Sequence, residues 1–164
     1  PGLRLFHQGQ FEGKKTRIPV HLGRGPAEVD DTDVSDFYAG LLGCLRDPLF
    51  HEGEWRLLEC RPAWEGNWTA DCFVAYAWTA MDGRKGLVIV NNANHPSQCI
   101  VALPWADLAG QAWTLADRLG NAVYERDGNN MKTHGLYLDM QEWSYHVFDV
   151  TPQASSADLP IRSS

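Results

Sequence analysis

The chain has 164 residues, 44% of them hydrophobic, and a formal net charge of −7. That length supports one domain with a real core, and that apolar content argues against bulk disorder. The acid excess, with no basic cluster beyond GKKTR at 13–17, argues against a nucleic-acid partner, and the strongest apolar run, GLVIVNNA, is too short to cross a bilayer.

The chain opens on PGLRLFHQGQFEG. The run Leu3–Leu5–Phe6 reads as a strand that passes directly into a loop carrying Gly9 and Gly13. No basic region with a small-residue cleavage site is visible there. Lys14 to Asp31 is rich in Gly and Pro and reads as a long loop. Next comes DTDVSDFYAGLLGCLRDPLF, where Val34, Phe37, Tyr38, Leu41, Leu42 and Leu45 recur at helical spacing. Asp31, Thr32 and Asp33 are cap candidates, Asp36 adds charge to the first turn, and Pro48 stops the helix near Asp47. The acids here read as caps and solvated surface rather than as a metal or acid/base site.

From Trp55 the apolar period changes from 3.6 to 2. Eight runs follow: EWRLLECR, DCFVAYAW, GLVIVNN, QCIVALP, AWTLADRL, AVYERD, GLYLDM and SYHVFDV. Turn signals divide them, among them Asp82-Gly83, Asn94-His95-Pro96, Gly120-Asn121 and Asp127-Gly128. With no helical pattern between the runs, the pattern predicts an antiparallel sandwich or barrel. The tail TPQASSADLPIRSS reads as flexible. The division is therefore residues 1–50 (strand, loop, helix), 51–150 (β-domain) and 151–164 (tail).

Cys44, Cys60, Cys72 and Cys99 include no CxxC pair and no His at zinc-finger spacing. They read as buried free thiols, which points to a reducing cytoplasm, and nothing in the sequence calls for a cofactor or metal. Of seven tryptophans, Trp55, Trp78, Trp113 and Trp143 sit on strand patterns and read as core. Trp64 and Trp68 sit in the loop RPAWEGNWTAD, where exposed rings beside polar groups suit a sugar face. The reading that they pack a seam stays open. His146, inside the last run, reads as a hydrogen-bonded structural residue.

Together these segments resemble the end of an alpha-amylase-family enzyme (glycoside hydrolase family 13). PGLRLFHQGQFEG is similar to the eighth strand and loop of that family's (β/α)8 barrel. DFYAGLLGCLRDPLFHEGEWRLL is similar to the eighth helix running into the C-terminal domain. GLVIVNNANHPSQCIVALP, WTLADRLGNAVYERDGNN and GLYLDMQEWSYHVFDV are similar to the strand pairs of the Greek-key β-sandwich that closes such enzymes. The resemblance covers about residues 1–150. Phe11 stands where the family often has an acid, with Glu12 one place later, and His7 and Gln8 replace its usual aromatic pair.

The resemblance implies a remnant barrel strand and helix followed by the sandwich, with the rest of the barrel upstream as partner. It also implies that the family's paired catalytic carboxylates, roughly 5 Å apart in retaining enzymes, precede Pro1. No residue here then inherits a catalytic role, and the chain alone is inactive. Substrate-contacting candidates are His7, Gln8 and Glu12, on the barrel's active-site face, with Trp64 and Trp68. The alternatives are a carbohydrate-binding module resting on those tryptophans, or a purely structural or assembly domain. α-Glucan is the implied ligand, no membrane partner is expected, and the exposed N-terminal strand would be the surface for self-association.

Overall fold

A computed structural model of the chain describes residues 5–16, 19 and 21–153. It divides into two compact units, Pro1–Asp47 and Pro48–Ser164.

The first unit holds a coiled loop and helix α1 (Thr32–Leu45). The Asp31 carboxylate caps the helix by accepting the Val34 N–H at 3.3 Å, and Asp33 sits in the first turn. At the far end the Asp47 N–H bonds the Cys44 carbonyl, and Pro48 prevents continuation. The strand expected at the opening is not present over Leu5–His7; its remaining residues, Pro1–Arg4, lie outside the described residues. The chain turns at once through residues 8–13, and the Phe6 ring folds back onto Phe11, with centroids 4.9 Å apart. Without a neighbour to share a ladder, apolar alternation alone does not make a strand.

The second unit runs α2 (Leu49–Glu52), β1 (Glu54–Leu57), β2 (Cys60–Arg61), β3 (Phe73–Thr79), β4 (Lys85–Asn91), β5 (Ser97–Val101), β6 (Ala112–Asp117), β7 (Val123–Asp127), α3 (Gly128–His134), β8 (Leu136–Met140) and β9 (Tyr145–Pro152). Short 3-10 turns occupy Trp68–Cys72 and Ala106–Leu108. Six strands form one sheet in the order β1-β3-β4-β9-β6-β7, and β2-β5-β8 form a second. Every ladder is antiparallel. β9 enters between β4 and β6, while β5 and β8 lie in the other sheet. The chain therefore crosses repeatedly between sheets instead of meandering, as a Greek-key sandwich does.

The strands form where alternation and β-branched or aromatic residues coincide. In β3, Phe73, Ala75 and Ala77 turn inward; their register partners Ala75↔Ile89 and Ala77↔Leu87 continue the row into β4, and Leu87↔Phe148 carries it into β9. Cys99, Val101, Leu136 and Met140 answer from the second sheet, so one cluster joins both layers. Each fully buried Leu, Ile or Phe contributes about 1.5–3 kcal/mol. β7, at an edge, is exposed along its whole length and carries Glu125, Arg126 and Asp127, charges that discourage edge-to-edge pairing.

The structure departs from the sequence reading at four further places. EWRLLECR is two strands in different sheets, because the chain leaves β3 after Leu58 and takes up β5 at Cys60. GNNMKTH, expected as turn, is α3: the Asp127 carboxylate accepts the Asn130 N–H at 2.7 Å, and Met131 anchors the helix in the core. Thr151 and Pro152, expected in the tail, extend β9, whose partners are Thr114 and Trp113. Residues 154–164 of that tail lie outside the described residues. Trp143, expected in the core, is 60% exposed in the turn between β8 and β9 at φ +51°. A bulky residue held in that region costs on the order of 1–3 kcal/mol.

Candidate functional site

Within the first unit, the loop from His7 to Lys15 folds tightly. Gln10 and Gly13 N–H groups close turns onto the His7 and Gln10 carbonyls, and the Lys14 N–H bonds the Gly9 carbonyl at 2.8 Å. The Asp31 N–H donates to the Glu12 carbonyl, the Ser35 hydroxyl to the Phe11 carbonyl, and the Gln10 side-chain amide to the Tyr38 hydroxyl at 2.8 Å. Phe11 sits edge-on to Tyr38 at 5.1 Å. These bonds fasten the loop to the start of α1. Gly13 is required there: φ is +65°, and a Cβ would lie 2.6 Å from the Asp31 Cβ.

The fold of this loop leaves a cavity of about 1000 Å³ lined by His7, Gln8, Glu12, Lys14, Thr16 and Glu28 among others. Three of the five sequence candidates therefore share one wall. Sequence reasoning missed Glu28 and Lys14, which the loop brings together across fourteen residues. The Lys14 ammonium donates to the Glu28 carbonyl at 2.5 Å and to the Asp30 carboxylate. The Glu28 carboxylate accepts N–H groups from Lys15 at 2.6 Å and Thr16 at 3.2 Å. The Lys15 amide bond chiefly holds Glu28 below the ordinary carboxylate range, with Thr16 and the Lys14 charge adding and desolvation opposing. A general acid in retaining glycoside hydrolysis needs the opposite shift. Glu28 is thus a loop clamp, and not a general acid that could pair with Glu12.

Because Glu28 is depressed in the folded chain, its clamp is complete above the unfolded carboxylate value, about 4.3. It is lost as pH falls through the lower folded value. Amide exchange should show Lys15 and Thr16 protected near neutrality and deprotected in acid, while the protection in Glu28→Gln is weaker and does not follow that titration.

Trp64 and Trp68 belong to the second unit and are 53% and 67% exposed. The turn holding them is built by buried Asn67, whose side-chain carbonyl accepts the Ala63 N–H and whose amide donates to Thr69 Oγ1 at 2.8 Å. The Trp68 ring meets His95 edge-on at 5.1 Å.

His146 is hydrogen-bonded, as the sequence reading expects. Its Nδ1 lies 2.7 Å from an Asp117 carboxylate oxygen, and the other oxygen accepts the Val147 and Leu119 N–H groups. Its ring stacks on Phe148 at 4.7 Å. The four cysteines are free thiols. The Cys60 thiol on β2 and the Cys99 thiol on β5 interact, which favours the Cys60 thiolate and, with burial, pushes the Cys99 thiol up. Among the described residues no group of His, Cys, Asp or Glu is arranged to hold a metal, and no helix is long and apolar enough to cross a membrane.

No family model matches the chain, and no curated protein matches it. Solved structures do. Trehalulose synthase MutB from Pseudomonas mesoacidophila MX-45 matches at 22% identity over 72% of this chain and 18% of that one, with a TM-score of 0.43. An inactive double mutant of MutB in complex with isomaltulose matches at 20% identity over 75% of this chain and 20% of that one, with a TM-score of 0.45. The chain spans no more than a fifth of the length of these structures. The antiparallel β-fold rests on the strand ladders above and not on this likeness. The resemblance of the chain to alpha-amylase-family enzymes rests on the sequence motifs quoted above, and not on this likeness.

Proposed function

We propose that this chain is the non-catalytic C-terminal portion of an alpha-amylase-family enzyme that acts on α-glucans by hydrolysis or transfer. Its work is to complete a (β/α)8 barrel and to stabilise it with the sandwich. The observation that carries this reading is the state of the acids around the loop cavity. Of the two glutamates that line it, Glu28 is committed to two backbone amides, which leaves Glu12 as the other carboxylate among the described lining residues. The order of loop, α1 and antiparallel sandwich supports it, since it is the order that the motif resemblance implies. His7, Gln8 and Glu12 would then border the sugar site of the whole enzyme, at the face where such barrels bind substrate.

The test is reassembly. A barrel of about 250 residues or more, encoded immediately before this sequence, should melt higher and gain turnover on maltodextrin when this chain is joined to it. A barrel equally stable and equally active without the chain would overturn the reading.

A further inference from the structure

The loops at one end of the sandwich carry a second feature that the proposed function does not use. Three segments converge there: the turn before β3, the β4–β5 connection and the β8–β9 turn. The convergence is fixed by backbone and buried amide. The Asn92 N–H bonds the Cys72 carbonyl at 2.8 Å, the Trp143 N–H bonds the Ala93 carbonyl at 3.0 Å, and the Asn91 N–H bonds the Ser144 carbonyl at 2.9 Å. Asn91 itself is fully buried, and its side-chain amide donates to the His95 carbonyl at 3.0 Å and the Gln141 carbonyl at 2.8 Å. Trp68 and Trp143 are thereby anchored to the same five-residue stretch, Asn91–His95, one through its ring on His95 and the other through its N–H on Ala93.

The chemistry of this end is selective. On residues 64–72, 91–96 and 141–145, every exposed large apolar side chain is aromatic: Trp64, Trp68, Trp143 and Tyr145. Exposed aliphatic residues such as Leu57, Met81 and Val123 lie on other segments. The same segments carry exposed amides, Asn92, Asn94 and Gln141. These segments hold Glu65, Asp71 and Glu142 and neither Lys nor Arg, so a polyanion or an anionic lipid surface is disfavoured. Trp143 is held at φ +51° with its indole outward, an arrangement that core packing does not explain. Aromatic faces and hydrogen-bonding amides on the same converging segments, with no cationic side chain there, fit a neutral ligand that is apolar on its faces and hydroxylated at its rim.

We propose that Trp68, His95 and Trp143, with Trp64 on the adjoining turn, form a binding site for neutral oligosaccharides, the pyranose rings stacking on the indoles. Asn91 is a positioning residue, stitching the two loops that present them. The inference goes beyond the proposed function and stands without it, because it concerns the sandwich alone and needs no barrel.

The experiment titrates the 164-residue chain with maltoheptaose and, separately, cellohexaose, following backbone amide and indole N–H resonances and tryptophan fluorescence. The expected result is saturable binding of at least one sugar with a Kd of roughly 1 mM or tighter, with shifts at Trp68, Trp143 and Asn92–His95. Trp143→Gly should weaken it about tenfold while remaining folded, since glycine takes the positive φ without strain. Trp68→Ala should weaken it similarly with an unchanged melting temperature. Absence of these shifts with both sugars at about ten times that concentration, or binding unchanged in both variants, would overturn the proposal. So would a concentration-dependent dimer that Trp143→Gly abolishes, because these rings would then be covered by a second copy.

Discussion

Trp113→Ala is expected to lower the stability of the second unit by about 3–5 kcal/mol, the range for removing a buried tryptophan. Trp113 is 1% exposed and lies in the cluster that joins both sheets. Its indole N–H donates to the buried Leu108 carbonyl at 2.9 Å. Above the ring stands the Lys85 ammonium, 5.0 Å from the centroid, itself nearly buried and paired with Asp107 at 2.8 Å. Alanine would leave a cavity, an orphaned carbonyl and a cation without its aromatic face. Trp113→Phe keeps a ring beneath Lys85 and should cost less, about 1–3 kcal/mol for the unmade hydrogen bond. Val123→Ala, on the exposed edge strand, should stay within about 0.5 kcal/mol of the parent. Urea unfolding followed by far-ultraviolet circular dichroism reads all three. Similar midpoints for Trp113→Ala and Val123→Ala would contradict the described core.

Gly128→Ala carries the second large effect. Gly128 begins α3, and its N–H bonds the Gln111 carbonyl at 2.9 Å. An added Cβ would sit 1.8 Å from the Leu108 carbonyl oxygen and 2.5 Å from that of Gln111. Both obstacles are backbone, so no side chain can swing aside. Overpacking of this kind reaches about 3 kcal/mol, and here it strikes the segment that also receives the Trp113 indole. Gly43→Ala offers the contrast. Gly43 lies inside α1 with open space around its Cβ position. Alanine there should be neutral or stabilising by about 0.5–1 kcal/mol. A thermal melt in which Gly128→Ala matches the parent would mean that α3 does not dock as described.

These two positions also mark how far the sequence could be read. Alternation placed the inward rows of β3, β4 and β9, because burying one face of a strand imposes period 2 directly on the chain. It could not divide EWRLLECR between two sheets, since a strand that changes partners keeps its period. α3 was illegible for a different reason. GNNMKTH has one buried apolar side chain, and its helix is set by Asp127 and by docking at Gly128, both of which look like turn chemistry in sequence. The site followed the same rule. His7, Gln8 and Glu12 were legible as neighbours because they are close in the chain and share a loop. Glu28 was not, since its role depends on N–H groups thirteen and twelve residues earlier. Trp143 read as a strand residue because alternation continues through it, whereas its positive φ turns the indole outward.

The function we propose has this chain contribute structure, and not a reacting group, to an α-glucan enzyme. Its most direct test is turnover by the purified 164-residue chain alone on maltodextrin and on an aryl α-glucoside, beside Glu12→Gln. The account predicts no release of reducing ends or aglycone above the buffer rate from either protein. Turnover that co-purifies with the chain and is abolished in Glu12→Gln would contradict it.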